Sequence, residues 1–486
     1  MNDAAQAAQA ARVRRNRALQ GLIGGQVCIH AAMTGLRMAL PLMLLSQGGG
    51  AWLSATAAAG LLLGLFALAP VMTAVPAGRW ADRVGYHRPV HAAIALVMAG
   101  GVLAVLAAAW PVLMALVQRL GGLSADGVFA TAVAPALRAL LLLLAAGLVG
   151  GGCNVGLMAI QRSAGRLASL GAADDAQAEG LQASKPDAAE LKRVFSWLGV
   201  APSFSNVVGP MLAGFLIDAG GYALACSVLA LLPLGTLWWS ARVPQALARG
   251  SSLAARGSAA QACAEPGSAN QPNPAPPPRH SLWALLHLPG LRVVLLLNAL
   301  FATSWDLHTF LVPLVGHQQG LSASAIGSVL GVFAASVTAV RLLMPLIAAR
   351  VTERQVITGA MAAVALIFIA YPWASGALAM AGCAALLGLA LGSVQPMVMS
   401  TLHQLSPPDQ QGEVLALRSA VINLCSAVLP LGFGLLGGVL GTALLFRGVA
   451  GLLLAMLWLP QRLGVVHAVA QADGVNAAVA KDPARG

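Results

Sequence analysis

The sequence predicts an all-α membrane protein of about twelve transmembrane helices, arranged as two pseudo-symmetric halves of about six helices each. Three observations support this fold class. Of the 486 residues, 58% are hydrophobic and only 9% are charged, whereas a soluble domain carries about 25% charged residues. The apolar residues form blocks of about 20, the length that a helix needs to cross the hydrocarbon core. Short motifs also recur in the same order in the two halves.

Each apolar block is predicted to be a helix, because a separate segment can satisfy its own backbone in lipid only as a helix. The predicted spans are 20–46, 52–77, 89–109, 136–160, 196–217, 222–242, 284–315, 322–349, 355–372, 376–402, 414–437 and 442–461. The predicted organisation is a cytoplasmic tail (1–19), an N-terminal half (20–242), a cytoplasmic linker (243–283), a C-terminal half (284–461) and a second tail (462–486). The Pro-, Gly- and Ser-rich composition of the linker predicts disorder.

The net charge of +12 predicts orientation rather than a nucleic-acid partner. Most of the 28 lysines and arginines fall in the tails and the even-numbered loops, and the short odd-numbered loops carry none. Basic residues accumulate on the cytoplasmic side of membrane proteins. We therefore expect a multi-pass protein of the bacterial inner membrane with both termini in the cytoplasm. The first span is too long for a cleaved signal peptide.

Span one carries a polar stripe. Gln26, His30, Thr34 and Arg37 follow an i, i+4, i+8, i+11 spacing, which places them on one helix face. Such a face should meet water or protein rather than lipid. The stripe either lines a substrate-binding cavity or bonds to a neighbouring helix. Arg37 suits an anionic group, since its fork matches a carboxylate or phosphate; alternatively it extends towards the outer surface.

A charged motif, residues 78–88, follows span two. It has a glycine, three residues, Asp-Arg, one residue, a second glycine and then a basic residue. The motif resembles the loop signature of the major facilitator superfamily, although Tyr86 and His87 stand where that family usually has basic residues. Its key positions are Gly78, Asp82, Arg83, Gly85 and Arg88.

The resemblance implies the major facilitator fold, transport by alternating access, and a cavity between spans one, four, seven and ten. It also implies that the motif is a conformational latch, in which Asp82 contacts the start of span eleven near Arg418. Alternatively, Asp82 and Arg83 are solvated charges that only set topology.

Span five contains Gly209, Pro210 and Gly214, which resemble the Gly-Pro motif of exporters in the family. The alternative is close helix packing through small residues and a proline kink. Span four lacks the arginine typical of drug-proton exporters, since Leu143 stands four residues before Gly147.

Three pairs of segments indicate internal duplication, which is how many secondary transporters are built around a midplane site. Asn154 and Gln395 occupy equivalent positions in spans four and ten, so both are predicted to bind substrate. The matching segments are 64–66 with 331–333, 147–154 with 388–395, and 210–214 with 430–434.

Span seven holds Trp305, Asp306 and His308. Charges deep in the bilayer are costly, so Asp306 is predicted to be functional. Desolvation can make such a carboxyl a proton-coupling group; the alternative is a fixed ion pair with Arg37 or Arg341. His308 is a second candidate for proton coupling, or else a satisfied polar group. Trp305 joins the predicted substrate-binding set.

The predicted function is secondary active transport of a small organic solute, proton-coupled and with an anionic substrate. The alternative is an efflux pump for hydrophobic or drug-like compounds. A membrane-embedded enzyme is the distant alternative, because the sequence offers neither paired carboxylates nor a His-rich motif. No cofactor or metal is expected, since the six cysteines form no CxxC pair. The predicted partners are a small-molecule substrate, protons and the lipid bilayer. The protein is predicted to be a monomer.

Overall fold

The described part of the protein is helical throughout and contains no β-strand. Ten of its helices are long and apolar enough to cross a membrane, which confirms the predicted all-α membrane class. The computed structural model describes residues 2–46, 54–121, 133–178, 188–244, 289–347, 350–406 and 411–462.

The N-terminal half contains an unusual double span. The helical segment Ala188–Leu231 contains span five and most of span six. Gly220 and Gly221 have non-helical backbone angles and divide the two spans. Gly221 has a φ of 77°, a conformation that glycine adopts without steric strain. The helices are α1 (Asn2–Ser46), α2 (Ala55–Val84), α3 (His87–Ala108), α4 (Trp110–Gly121), α5 (Ala134–Ala178), α6 (Ala188–Leu231) and α7 (Pro233–Ser240), the last of which completes span six.

The C-terminal half repeats this arrangement with one helix for each span. A 3₁₀ turn at Tyr371–Trp373 separates two of the helices. The last helix is short but apolar, and it brings the total to the expected twelve spans. The helices are α8 (Pro289–Gln318), α9 (Ala323–Ile347), α10 (Glu353–Ala370), α11 (Gly376–Leu405), α12 (Gln411–Leu440) and α13 (Thr442–Ala455).

Several helices extend beyond the predicted spans. α1 begins at Asn2, because its first turns are rich in alanine, the strongest helix former. α5 continues to Ala178 for the same reason. α4 lies in the connection between spans three and four, to which no predicted span is assigned. The predicted linker (243–283) and second tail (462–486) lie outside the described residues except for residues 243, 244 and 462.

The two halves meet through glycine at one end of the bundle. α2 packs against α12, where a Cβ atom on Gly64 would lie 2.9 Å from the Ala427 carbonyl oxygen. α6 packs against α9 in the same manner, with Gly327 against the Pro210 carbonyl. Small residues let helix backbones approach this closely without intervening side chains. This end of the bundle is therefore closed, and we call it the closed end.

The halves diverge at the opposite end. In α2, Val75 lies on the same helix face as Gly60 and Gly64, yet it is 61% exposed. In α9, Leu342 lies on the face of Gly327 and is 67% exposed. On both helices, the face that contacts the other half at the closed end is therefore uncovered at the opposite end. A cavity between the halves opens towards this end, which we call the open end.

Candidate functional site

A cavity of about 250 Å³ lies between the halves. Helices of the C-terminal half form most of its wall, and α1 contributes one arginine from the N-terminal half. Its apolar lining includes Phe301 and Trp305. The charged and hydrogen-bonding groups include Arg37, Asp306, Arg341, Gln395, Arg418 and Ser426.

Asp306 and Arg37 form an ion pair across the two halves. The Arg37 Nη2 atom lies 3.5 Å from Oδ1 of Asp306, and the side chains are 27% and 3% exposed, respectively. The Ser426 hydroxyl donates to Oδ2 of Asp306 at 2.8 Å. Both carboxylate oxygens therefore have a partner, as a buried charge requires. The pair that sequence analysis held as the alternative for Asp306 is present, and Arg37 still borders the cavity.

Two further arginines face the same cavity without a carboxylate partner among the described residues. Arg341 donates from Nη2 to Oε1 of Gln395. The Nε atoms of Arg341 and Arg418 are buried and have no hydrogen-bond partner in the described part of the chain. Three guanidinium groups and one carboxylate thus line this space, which leaves an excess of two positive charges (three minus one).

Sequence reasoning had assigned Arg341 and Arg418 to other roles. Arg341 was considered only as an ion-pair partner of Asp306, and Arg418 only as a contact of the loop motif. The available signal was an arginine within an otherwise apolar helix, which is costly unless it faces protein or water. That signal applies to Arg341 in α9 and to Arg418 in α12.

The polar stripe of α1 divides along its length. Thr34 donates to the Ser205 carbonyl at 3.0 Å, which ties α1 to α6. Thr34 and Arg37 also border a smaller cavity of about 70 Å³ together with Trp305. Gln26 is almost fully buried, with its Oε1 atom unbonded within the described ranges, and Nδ1 of His30 is in the same state. Of the four residues, only Arg37 reaches the larger cavity.

The two amide residues of the repeat lie in different environments. Asn154 donates to the Pro70 carbonyl and to the Thr73 hydroxyl, both at 3.1 Å, so it joins α5 to α2. Gln395 instead lines the larger cavity beside Arg341. Equivalent positions in the duplicated halves have therefore acquired different contacts.

His308 lies on the opposite side of α8 from Asp306, as residues two apart on a helix do. It is fully buried, and neither ring nitrogen has a partner among the residues described. Its ring lies 4.4 Å from that of Phe333 and 5.7 Å from that of Tyr371, measured between centroids. Trp305 contacts the same phenylalanine edge-on at 4.7 Å. Phe333 thus contacts His308 with its ring and also lines the small cavity.

The loop motif joins helices of one half only. Asp82 forms an ion pair with Arg162 of α5. Its expected partner was the start of α12 near Arg418, and Arg418 instead lines the cavity. The physical reason is the divergence of the halves at this end. Gly85 ends α2 with a φ of 84°, and Arg83 and Arg88 are exposed.

Tyr86, which departs from the family pattern, fills an apolar cluster that includes Leu22 and Ile94. Burial raises the pKa of its phenol above the ordinary value. An apolar contact has therefore replaced the usual basic residue. Gly78, by contrast, has open space beside it.

The Gly-Pro segment of α6 packs on two neighbouring helices. Gly209 lies against the Ala31 carbonyl and the Thr34 side chain of α1. Gly214 lies against the Ala323 backbone at the start of α9. Pro210 contacts α9 through its carbonyl and also borders the small cavity. This segment is thus at the contact between the halves.

The sequence pattern of the Major Facilitator Superfamily matches residues 142–430 and 294–481 of the chain. No curated protein matches it. Among solved structures, the D-xylose-proton symporter has a TM-score of 0.61 at 13% identity, over 92% of this chain and 96% of that one. The peptide transporter POT in complex with sulfate has a TM-score of 0.59 at 15% identity, over 92% and 95%. The human organic anion transporter MFSD10 (TETRAN) has a TM-score of 0.54 at 18% identity, over 92% and 99%. At these identities, the likeness shows the shared fold.

Proposed function

The chain belongs to the major facilitator superfamily and is a membrane transporter rather than an enzyme, and we propose that it moves a small organic anion together with protons by alternating access. The observation that carries this proposal is the Arg37–Asp306 ion pair beside a cavity with two further arginines. The pair combines a group that can take up a proton with a group that can bind an anion. It also connects the two halves, whose mutual contacts must change during transport.

Charge balance supplies the coupling. While Asp306 is ionised, it neutralises Arg37. Protonation of Asp306 removes this counter-charge and leaves the Arg37 guanidinium free to attract an anion. By linkage, an anion bound at Arg37 equally favours protonation of Asp306. The proton and the anion would therefore bind together and travel in the same direction.

The groups that surround Asp306 determine whether its carboxyl is ionised or protonated. Arg37 and the Ser426 hydroxyl contact its carboxylate directly, and both favour the ionised form. Arg341 and Arg418 add positive charge from the same cavity. Burial of the carboxyl opposes these effects and favours the protonated form. An incoming anion that screens the arginines would shift the balance towards protonation.

Orientation follows from the basic loops. The charged motif between α2 and α3, with Arg79, Arg83 and Arg88, lies at the open end of the bundle. Cytoplasmic loops of inner-membrane proteins carry the excess of arginine and lysine. We therefore assign the open end to the cytoplasm, which makes this conformation inward-facing and leaves both termini inside the cell.

The test is transport by the purified protein in proteoliposomes with an alkaline interior. Radiolabelled lactate, succinate and citrate represent the anions, and tetraphenylphosphonium represents a hydrophobic compound. We expect the wild type to concentrate at least one anion, and Asp306→Asn to lose concentrative uptake but to retain counterflow. Asp174→Asn is the matched control, because Asp174 lies on α5 beyond its membrane span (Ala134–Ala164).

Each of the other results would contradict a different part of the proposal. Uphill uptake that persists in Asp306→Asn would exclude this carboxylate as the coupling group. Movement of tetraphenylphosphonium without any anion would favour the exporter of hydrophobic compounds.

A further inference from the structure

The cavity has more positive charge than a single carboxylate substrate would balance. Of its three arginines, Arg37 is paired with Asp306. Arg341 and Arg418 face the same space from α9 and α12, and neither forms an ion pair with a carboxylate among the described residues. The two guanidinium groups contribute the whole excess of two charges.

The hydrogen bonds of these arginines point to the same conclusion. Among the described residues, Arg341 donates a hydrogen bond to Gln395, a neutral amide that orients the guanidinium without neutralising it. Nε of Arg341 and Nε of Arg418 are buried and unbonded within the described ranges. An unsatisfied buried donor destabilises a protein, and the destabilisation is larger when the donor is charged. Two arginines with such unmet donors line one cavity, which indicates the place of a charged ligand.

We propose that Arg341 and Arg418, with Gln395, form the anion-binding site, and that the transported solute carries two negative charges. This inference rests on the proposed function and specifies the substrate class of the same cavity. Guanidinium groups bind carboxylates and phosphates through paired N–H donors, so a compact dicarboxylate and an organic phosphate both qualify. While Asp306 is ionised, the dianion balances Arg341 and Arg418; once Asp306 is protonated, the released Arg37 guanidinium becomes a third contact for the same anion.

Three ligands of one shape measure the charge requirement directly. Succinate, succinamate and succinamide have the same chain length and carry two, one and no negative charges at pH 7.5. A ligand that binds only the folded protein raises its melting temperature according to concentration and affinity. We expect succinate to stabilise the wild type most and succinamide not at all. Malonate, glutarate and adipate cover other lengths, and methyl phosphate covers the phosphate class.

The arginine variants test the assignment of the two residues. Arg341→Gln and Arg418→Gln should each weaken succinate binding about tenfold or more, since a charged hydrogen bond is lost. They should also shift the preference from succinate towards the singly charged succinamate. A purely structural arginine would lower the affinity for both ligands equally. Arg447→Gln is the matched control. Arg447 is on α13, where its guanidinium lies over the Trp373 ring and away from the cavity.

The outcomes separate this inference from the proposed function. If none of the dianions stabilises the wild type more than succinamide does, the dianion site is excluded, even if a monoanion is transported with protons. If dianions bind through Arg341 and Arg418 but Asp306→Asn still concentrates them, the site stands and proton coupling at Asp306 is excluded. Melting temperatures of the ligand-free variants show whether each arginine variant is folded. If a glutamine variant is not folded, the corresponding lysine variant, Arg341→Lys or Arg418→Lys, replaces it and keeps the charge.

Discussion

The Arg37–Asp306 ion pair determines how the protein tolerates a carboxylate that is 3% exposed. Removing one partner of a buried pair leaves the other charge without compensation, which is more damaging than removing both. Arg37 is partly exposed, so water offsets a portion of that penalty. The stability of the pair and its proposed role in coupling can therefore be measured separately.

A double-mutant comparison should reveal this asymmetry. We expect Arg37→Gln to lower the free energy of unfolding by about 1–3 kcal/mol, because it leaves the Asp306 carboxylate buried and unpaired. Arg37→Gln combined with Asp306→Asn should regain most of that loss. Thermal unfolding in detergent at pH 7.5 measures Arg37→Gln, Asp306→Asn and the double variant against the wild type. If the double variant is as unstable as the sum of the single variants, the two side chains are not energetically coupled.

The candidate site was only partly predictable at this scale. The rarity of acidic residues within spans identified Asp306, and helical spacing identified Arg37 together with Thr34. Neither pattern specified which helices face each other, so the ion pair remained one of two alternatives. Arg341 and Arg418 come together only at the cavity, because α9 packs against α6 and α11 while α12 packs against α2 and α8. That proximity has no counterpart in sequence spacing.

At the scale of elements, Asp218 provides a contact that no motif indicated. It lies near the end of the first part of α6, and its Oδ1 and Oδ2 atoms accept hydrogen bonds from the backbone N–H groups of Ala323 and Ser324 at 3.0 and 2.8 Å. These N–H groups begin α9, where the helix dipole favours a negative charge. A carboxylate from the N-terminal half thus caps a helix of the C-terminal half. This contact stabilises the closed end.

Loss of this cap should open the closed end more often. Replacing a capping side chain by alanine typically weakens a helix terminus by about 0.5–2 kcal/mol, so Asp218→Ala should raise the open population about twofold or more. Leu63→Cys, placed in the small cavity between the halves after removal of the native cysteines, reports opening through its labelling rate with a membrane-impermeant maleimide. Labelling that stays at the rate of the parent and of an Asp174→Asn control would show that the cap does not control this end.

Glycine determines how close the elements can come. Gly60 and Gly434 lie against each other's helices, and a Cβ atom on Gly434 would lie 2.6 Å from the Thr56 carbonyl oxygen. The sequence repeat had aligned Gly64 with Gly331 without indicating a purpose for either. In the structure, each lies on the face of its helix that meets the other half. The duplication therefore preserved a pair of closing surfaces, one on each side of the bundle.

At the scale of the whole molecule, the fold was largely predictable because bilayer thickness fixes the length of an apolar helix. The predicted spans that end at residues 46, 217 and 437 correspond to a helix end at Ser46, a break at Gly220 and a helix end at Leu440. Helix continuation outside the membrane was less visible, since α1 and α5 extend through alanine-rich segments of low hydropathy. The conformational state was not predictable, because the same twelve spans serve every state of an alternating-access cycle.

The final prediction concerns the loop motif and the other state of this cycle. Asp82 is 57% exposed and pairs with Arg162 inside its own half, and exposed pairs contribute little to stability. If the motif is a latch, its carboxylate must exchange Arg162 for the start of α12 when the open end closes. We therefore expect Asp82→Asn to reduce transport severalfold with little change in melting temperature.

A disulfide trap tests the same exchange directly. Cysteines at Gly78 and Glu413, in a background without native cysteines, should cross-link more readily as the open end closes, and Asp82→Asn should reduce that yield. Arg162→Gln is the matched control, because it removes the present partner of Asp82 but not the carboxylate itself. Equal transport by Asp82→Asn and the wild type would reduce the motif to a set of loop charges that orient the chain. Loss of transport in both variants would instead place the function in the Asp82–Arg162 pair within one half.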